Sequence, residues 1–244
     1  MRGMTGGISI QSVTRLDLRF APRRWAFAQE RRAEIDAHFA RLQRDKPVWN
    51  GRVLLMHEHA LTGDMLRGDW LETDFASFLA WRDWGFPDPA MCNCFAAAAL
   101  QGSDGGFVLG VMGARTSNAG KIYFPSGTPE PGDVADGRVD LEASVRRELL
   151  EETGIAAEDL DVASGWDVVT AGPRIALMKP MRAKEDAAAL RERVRAYLTS
   201  DPEAELSDIH VARRPADLHP AMPDFVVAYL GARWNVLAKG GGGR

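Results

Sequence analysis

Residues 127–155 constrain this chain more than any other stretch: G-T-P-E-P-G-D-V-A-D-G-R-V-D-L-E-A-S-V-R-R-E-L-L-E-E-T-G-I. The second half predicts a helix. Asp140 is an N-cap residue, the interior lacks Gly and Pro, and Gly154 stands where a C′ residue belongs. Glu148, Glu151 and Glu152 fall at i, i+3 and i+4, so they share an arc of about 100°. Like charges at such spacings destabilise an isolated helix by ~0.2–0.5 kcal/mol per pair. The three carboxylates must therefore be hydrated, paired with cations, or bound to a hard metal ion. Arg147 and Glu151 form one i, i+4 pair, which leaves Glu148 and Glu152 without an evident local partner. In an arbitrary chain, E-x-x-E-E is a solvated face. Here residues 121–127 predict a strand running into a tight loop, which Pro129, Pro131 and Gly132 continue.

A strand, a glycine-containing loop and an acidic helix together resemble the Nudix box, G-x5-E-x7-R-E-U-x-E-E-x-G-U with U aliphatic. Residues 147–155 match its second half at every defined position, and Gly127 matches its first glycine. Two departures stand out. Asp133 occupies the place of the first Glu, and thirteen residues rather than seven separate it from Arg147. The six-residue insertion contains Asp136-Gly137, a turn signal. Extra loop length before a helix costs little free energy, whereas the Asp swap shortens a side chain by one methylene.

The rest of the chain must agree with that reading. Its 244 residues exceed a minimal domain of this kind by about one small domain. A net charge of −4 argues against a protein whose main work is gripping nucleic-acid phosphates. The first twelve residues have no basic start followed by an apolar run, and no apolar stretch reaches the ~20 residues that span a bilayer, so the expectation is a cytoplasmic protein. Cys92 and Cys94, at i, i+2, predict reduced core thiols rather than a disulfide. His57-Glu58-His59 lacks H-E-x-x-H spacing and reads as a polar strand end.

Along the chain, strands are expected at 15–20 and 48–56, the latter with a turn or bulge at Asn50-Gly51. A helix opens at Pro22, carries Ala28, Ile35, Phe39 and Leu42, and stops at Pro47. A second helix is capped by Thr73 or Asp74 and carries Phe75, Phe78 and Leu79, with Trp81 and Trp84 near its end; these aromatics read as core or subunit contact in preference to a base-stacking platform. Strands follow at 93–100, 107–113, 163–169, 175–183 and 209–211, and helices at 185–198 and 224–237; Asp201-Pro202-Glu203 has the look of another helix start. These elements define an α/β fold. The resemblance implies a Nudix-like α/β/α sandwich with a mixed sheet over residues 89–239, preceded by a smaller N-terminal α/β segment over 1–88 and followed by a disordered tail at 240–244.

The same resemblance implies a chemistry. Clustered carboxylates suit Mg²⁺ or Mn²⁺, and Glu148, Glu151 and Glu152 match carboxylates that hold metal. The Ser126 carbonyl sits where a backbone ligand is expected, and Asp133 matches the first glutamate, acting through water. Arg147 matches an arginine that orients a neighbouring glutamate. Glu203, Glu205 and Asp208 are candidates for a later-loop general base, with Glu205 taken forward. Arg115 and Lys121, in the polar loop before the box strand, are candidate phosphate donors beside Gly127. The implied reaction is hydrolysis of a pyrophosphate bond in a nucleoside diphosphate linked to another group. A nucleotide sugar or an ADP-ribose-like compound is preferred; a coenzyme A pyrophosphatase and a non-catalytic binding module are the alternatives. The implied partner is a small nucleotide, and a homodimer fits the apolar N-terminal segment.

Overall fold

The computed structural model describes residues 7–45 and 48–240. The expected helix stop at Pro47 and the glycines at 241–243 lie outside them. In chain order the elements are β1 (Ser9–Val13), β2 (Arg15–Phe20), α1 (Ala26–Glu30), α2 (Arg32–Asp45), β3 (Arg52–Thr62), β4 (Met65–Asp74), α3 (Phe75–Asp83), β5 (Asn93–Gln101) and β6 (Phe107–Met112). Then come β7 (Ile122–Tyr123), β8 (Val134–Ala135), β9 (Arg138–Val139), α4 (Leu141–Thr153), β10 (Asp161–Val162), β11 (Trp166–Ala171), β12 (Arg174–Arg182), α5 (Ala187–Ser200), β13 (Leu206–Ala212) and α6 (Asp224–Gly240).

These strands form two sheets. The larger runs β1-β11-β12-β5-β6-β13, with β10 added to β12 and β7 to β6. Only β5 and β12 are parallel within it, which makes the sheet mixed. Its central strand β5 carries Ala96 to Ala99, and their small side chains alternate between two cores. Ala96 and Ala98 face Val145 and Leu149 of α4 and Leu190 and Val194 of α5. Ala97 and Ala99 face Val226, Tyr229 and Leu230 of α6. Helices on both faces give the α/β/α sandwich.

The smaller sheet runs β3-β4-β2-β9-β8. On one side Leu55 and Leu71 pack under Ile35, Phe39 and Trp81 of α2 and α3. On the other, Leu18, Leu54, Leu66 and Trp70 join the same core as α4 and α5. The chain passes between the sheets more than once. β1 precedes the small sheet in sequence yet pairs with β11 of the large one. In the other direction, the box insertion folds into the β8–β9 hairpin and pairs with β2 of the small one. Asp136 and Gly137 turn that hairpin with φ of 50° and 72°, the left-handed pair a two-residue turn demands.

Several expectations are corrected. The first helix starts at Ala26 rather than Pro22 and is broken at Arg31 into α1 and α2. Asn50-Gly51 is no strand turn: Asn50 Oδ1 accepts from Ala76 N (2.8 Å) and the Gly51 carbonyl from Phe75 N (2.9 Å), so both serve the α3 N-terminus. β3 therefore begins at Arg52 and runs through His57-Glu58-His59, with a bulge there, into a hairpin with β4. Asp201-Pro202-Glu203 forms a turn leading into β13, not a helix. The two cysteines are free and buried, as expected; burial pushes the Cys92 thiol up to about 11. Among the described residues no helix is long and apolar enough to cross a membrane.

Candidate functional site

α4 is fixed at both ends. Asp140 accepts from Ala143 N (2.9 Å), and Gly154, at φ 68°, donates to the Leu150 carbonyl (2.8 Å). Near its start, Glu142 pairs with Lys179 of β12 at 2.5 Å, and that buried ammonium also lies 4.4 Å from the Trp166 ring centre. The helix thus cannot rotate freely on the sheet, and its acidic arc faces one direction.

The three glutamates on that arc have different surroundings. Glu151 is 59% exposed, Glu148 15%, and Glu152 is buried. Arg147 Nη1 lies 2.7 Å from Glu148 and 3.2 Å from Glu151, so Glu148, which the spacing alone leaves unpaired, does have a local cation. Glu152 accepts from the Ser126 backbone N–H, but its Oε2 is buried with no hydrogen-bond partner. Burial, partly opposed by Arg147 and reinforced by Glu151 and Glu205, pushes the Glu148 carboxyl up to about 7. Burial, then the charges of Glu148 and Glu205, push the Glu152 carboxyl far up as well. Such shifts mark a cluster short of positive charge.

Asp133 ends a short 3-10 turn, Pro131–Asp133, and is buried. Its oxygens accept from Glu130 N (3.0 Å), Ser144 Oγ (3.2 Å) and Arg147 Nη2 (3.2 Å). Gly127 lies directly against Glu148. A Cβ there would come within 3.0 Å of all three carboxyl atoms, so only glycine lets the loop approach this closely.

The other candidates separate. Glu205, just before β13, is near enough to raise both Glu148 and Glu152. Glu203 is 82% exposed and sits 3.6 Å from Arg115, which also donates to the Pro202 carbonyl (2.7 Å). Asp208 is held by Arg195 at 2.7 Å, away from the acidic cluster. Two adjoining cavities share the loop 126–128, Phe75, Asn118 and Tyr123 as lining. One of about 780 Å³ is lined by Glu148, Glu205, Arg115 and Trp49. The other, of about 360 Å³, is lined by Lys121, Arg174 and a group of aromatic rings.

Hard oxygen donors, an orphaned buried carboxylate oxygen and two carboxyls whose ionisation burial and mutual charge disfavour together fit a hard divalent ion. Among the described residues, no three His, Cys, Asp or Glu side chains are already gathered in a ligand arrangement; Arg147 holds part of the cluster instead.

The model of the NUDIX domain family matches residues 94–226, more than half of the chain. The chain belongs to the Nudix family. It is thus a Nudix-family pyrophosphohydrolase, and enzymes of this family typically use divalent metals. No curated protein matches it. Solved structures similar to it include a Nudix hydrolase from M. smegmatis, RenU, at 15% identity over 59% of this chain and 84% of that one, TM-score 0.37. A NUDIX hydrolase from Nitrosomonas europaea matches at 13% over 58% and 72%, TM-score 0.36, and the MutT protein from Methanosarcina mazei Go1 at 16% over 58% and 94%, TM-score 0.32.

The cavity beside the Nudix box is visible only in the fold: Phe75 and Phe78 carry an ordinary core pattern, and the docking of α3 brings them near Phe95 and Phe225.

Proposed function

We propose that this Nudix protein hydrolyses the pyrophosphate bond of a nucleoside diphosphate linked to a second group, a nucleotide sugar or an ADP-ribose-like compound, with Mg²⁺ or Mn²⁺. The observation that carries the reading is the charge state of one small region. Glu148, Glu152 and Glu205 lie within electrostatic reach of one another, Glu152 is buried and Glu148 only 15% exposed, and among the described residues the Arg147 guanidinium is the cation paired with the box carboxylates. Such a region favours a bound dication.

Glu148, Glu151, Glu152 and the Ser126 carbonyl would hold the ion, which when bound neutralises the diphosphate and acidifies the attacking water. Arg147 orients Glu148 and Glu151. Asp133 acts from behind, through its contacts with Arg147 and Ser144, rather than through water on the ion. Glu205 takes the proton of the water. The water oxygen forms the new P–O bond, the bridging P–O bond breaks, and the electron pair leaves on the second phosphate, giving two monophosphates. Arg115 and Lys121 flank the loop 126–128 and neutralise phosphate oxygens.

The test is a panel of dinucleotides, nucleotide sugars, ADP-ribose and coenzyme A with Mg²⁺. Two monophosphate products from at least one compound support the reading. Tight binding without cleavage across the panel replaces it with a binding module, and cleavage of coenzyme A alone reassigns the substrate.

A further inference from the structure

The segment that precedes the family-matched residues faces the Nudix box directly. α3 contributes Phe75, Phe78 and Arg82 to the cavity of about 360 Å³, opposite Phe95 of β5 and Phe225 of α6. That cavity shares the loop 126–128 and Phe75 with the larger cavity lined by Glu148 and Glu205.

We propose that α3 is a substrate-specificity element, and that Phe75, Phe78 and Asn93 together bind a nucleobase beside the box. The inference rests on the pyrophosphohydrolase reading only for what the bound nucleoside is attached to.

Three observations together favour a base over an aliphatic group or a plain phenyl ring, and the flat walls favour it over a sugar. First, the walls are flat rings. Phe75 and Phe78 have centres 5.7 Å apart, Phe95 and Phe225 lie 5.6 Å apart at 75°, and the Arg174 guanidinium sits 5.9 Å over Phe225. Rings and a guanidinium plane suit the face of a heteroaromatic ring. Second, Asn93 lines the same cavity and its Oδ1 is buried without a hydrogen-bond partner among the described residues. A buried acceptor left unpaired is costly, and a base offers an N–H on its edge where an alkyl chain or phenyl ring offers none. Third, the size is at the small end for ligand sites, which run from ~300 to 1,000 Å³, so the cavity takes one nucleoside and not a whole dinucleotide. The diphosphate then crosses the loop 126–128 toward the acidic cluster, and the second group occupies the larger cavity.

Two of the three residues, Phe75 and Phe78, come from the N-terminal segment, and Asn93 stands just ahead of the family-matched range 94–226. The base would thus be chosen by residues outside the matched domain, while the cleavage chemistry stays within it.

The experiment is equilibrium binding of adenosine, guanosine, cytidine and uridine, with free ribose as control, to the full chain in EDTA. Omitting metal and phosphate makes the result independent of catalysis. At least one nucleoside should bind tenfold or more tightly than ribose. Phe75→Ala should reduce that affinity tenfold or more, in line with the loss of a stacking partner, and Phe75→Tyr should restore it. Asn93→Leu should also reduce it while the thermal melt stays cooperative and unshifted, since the buried acceptor it removes has no hydrogen-bond partner among the described residues. If no nucleoside outbinds ribose, or if Phe75→Ala and Asn93→Leu bind like the wild type, the proposal is overturned. Nucleoside binding without cleavage in the metal-containing panel sinks the enzymatic reading alone, and cleavage without nucleoside binding sinks this pocket alone.

Discussion

Replacing Gly127 with Ala should separate function from stability. The added Cβ would lie within 3.0 Å of the Glu148 carboxyl carbon and both of its oxygens. Ordinary carbon contacts begin near ~3.5 Å, so the carboxylate must retreat by about 1 Å. The atoms displaced are the far end of a flexible side chain, so the fold yields at little cost, and a change of less than about 3 °C in Tm is expected. A misplacement of about 1 Å at a reacting centre can cost roughly 100-fold in rate. Gly127→Ala should therefore lower kcat/KM by about two orders of magnitude and raise the Mg²⁺ concentration needed for half-maximal rate. The assay is phosphate-ester release on the best panel substrate against Mg²⁺ concentration, with a thermal melt alongside. Wild-type kcat/KM and an unchanged Mg²⁺ dependence would show that Glu148 does no work at the position the loop protects.

Other outcomes follow from the same geometry. In metal-free protein the Glu148 carboxyl is raised to about 7 and Glu152 is raised further. A raised folded pKa contributes stability below the unfolded value near 4.5 and loses it as pH rises through the folded value. The unfolding free energy in EDTA should thus fall between about pH 5 and 8, by on the order of 3 kcal/mol from Glu148, with Tm falling in parallel, and Mg²⁺ should flatten the fall; a flat profile in EDTA contradicts the burial argument. Gly154→Ala places a side chain at φ 68° and within 3.0 Å of the Tyr197 ring. It should cost about 1–3 kcal/mol, read as a lower urea midpoint with unchanged slope, and a wild-type midpoint would count against it. Gly137→Val forces a β-branched residue to φ 72° in the β8–β9 turn and should cost about 1–2 kcal/mol in the same urea experiment; no loss would mean that the hairpin is not held on the small sheet.

The sequence made α4 legible because everything that defines it is local: the Asp140 cap, the Gly154 stop and the spacing of the glutamates. Asp136-Gly137 announced its turn for the same reason. What it did not announce was that the insertion would pair with β2, because Arg19 and Arg138 meet only through tertiary structure. β1 escaped because four of its five residues are exposed at a sheet edge, so burial imposes no alternation on them. β4 escaped because it packs on both faces, Leu66 and Trp70 toward one core and Leu71 toward another, which blurs the period of two. At the site, local spacing pointed to Glu151 as the partner of Arg147 and missed Glu148 and Asp133, since i, i+1 neighbours and a residue fourteen positions away are brought together by the loop, not by the helix. Glu205 is taken forward from three neighbouring carboxylates that local sequence does not distinguish; in the fold its charge is the one felt by Glu148 and Glu152.

The most direct measurement is Mn²⁺ binding, followed by the loss of its free-ion EPR signal, in wild-type protein and in the double variant Glu148→Gln/Glu152→Gln. The account predicts at least one tightly bound ion per wild-type chain at pH 8 and none in a double variant that melts cooperatively. Equal Mn²⁺ binding by the two proteins would place the ion elsewhere and contradict the account.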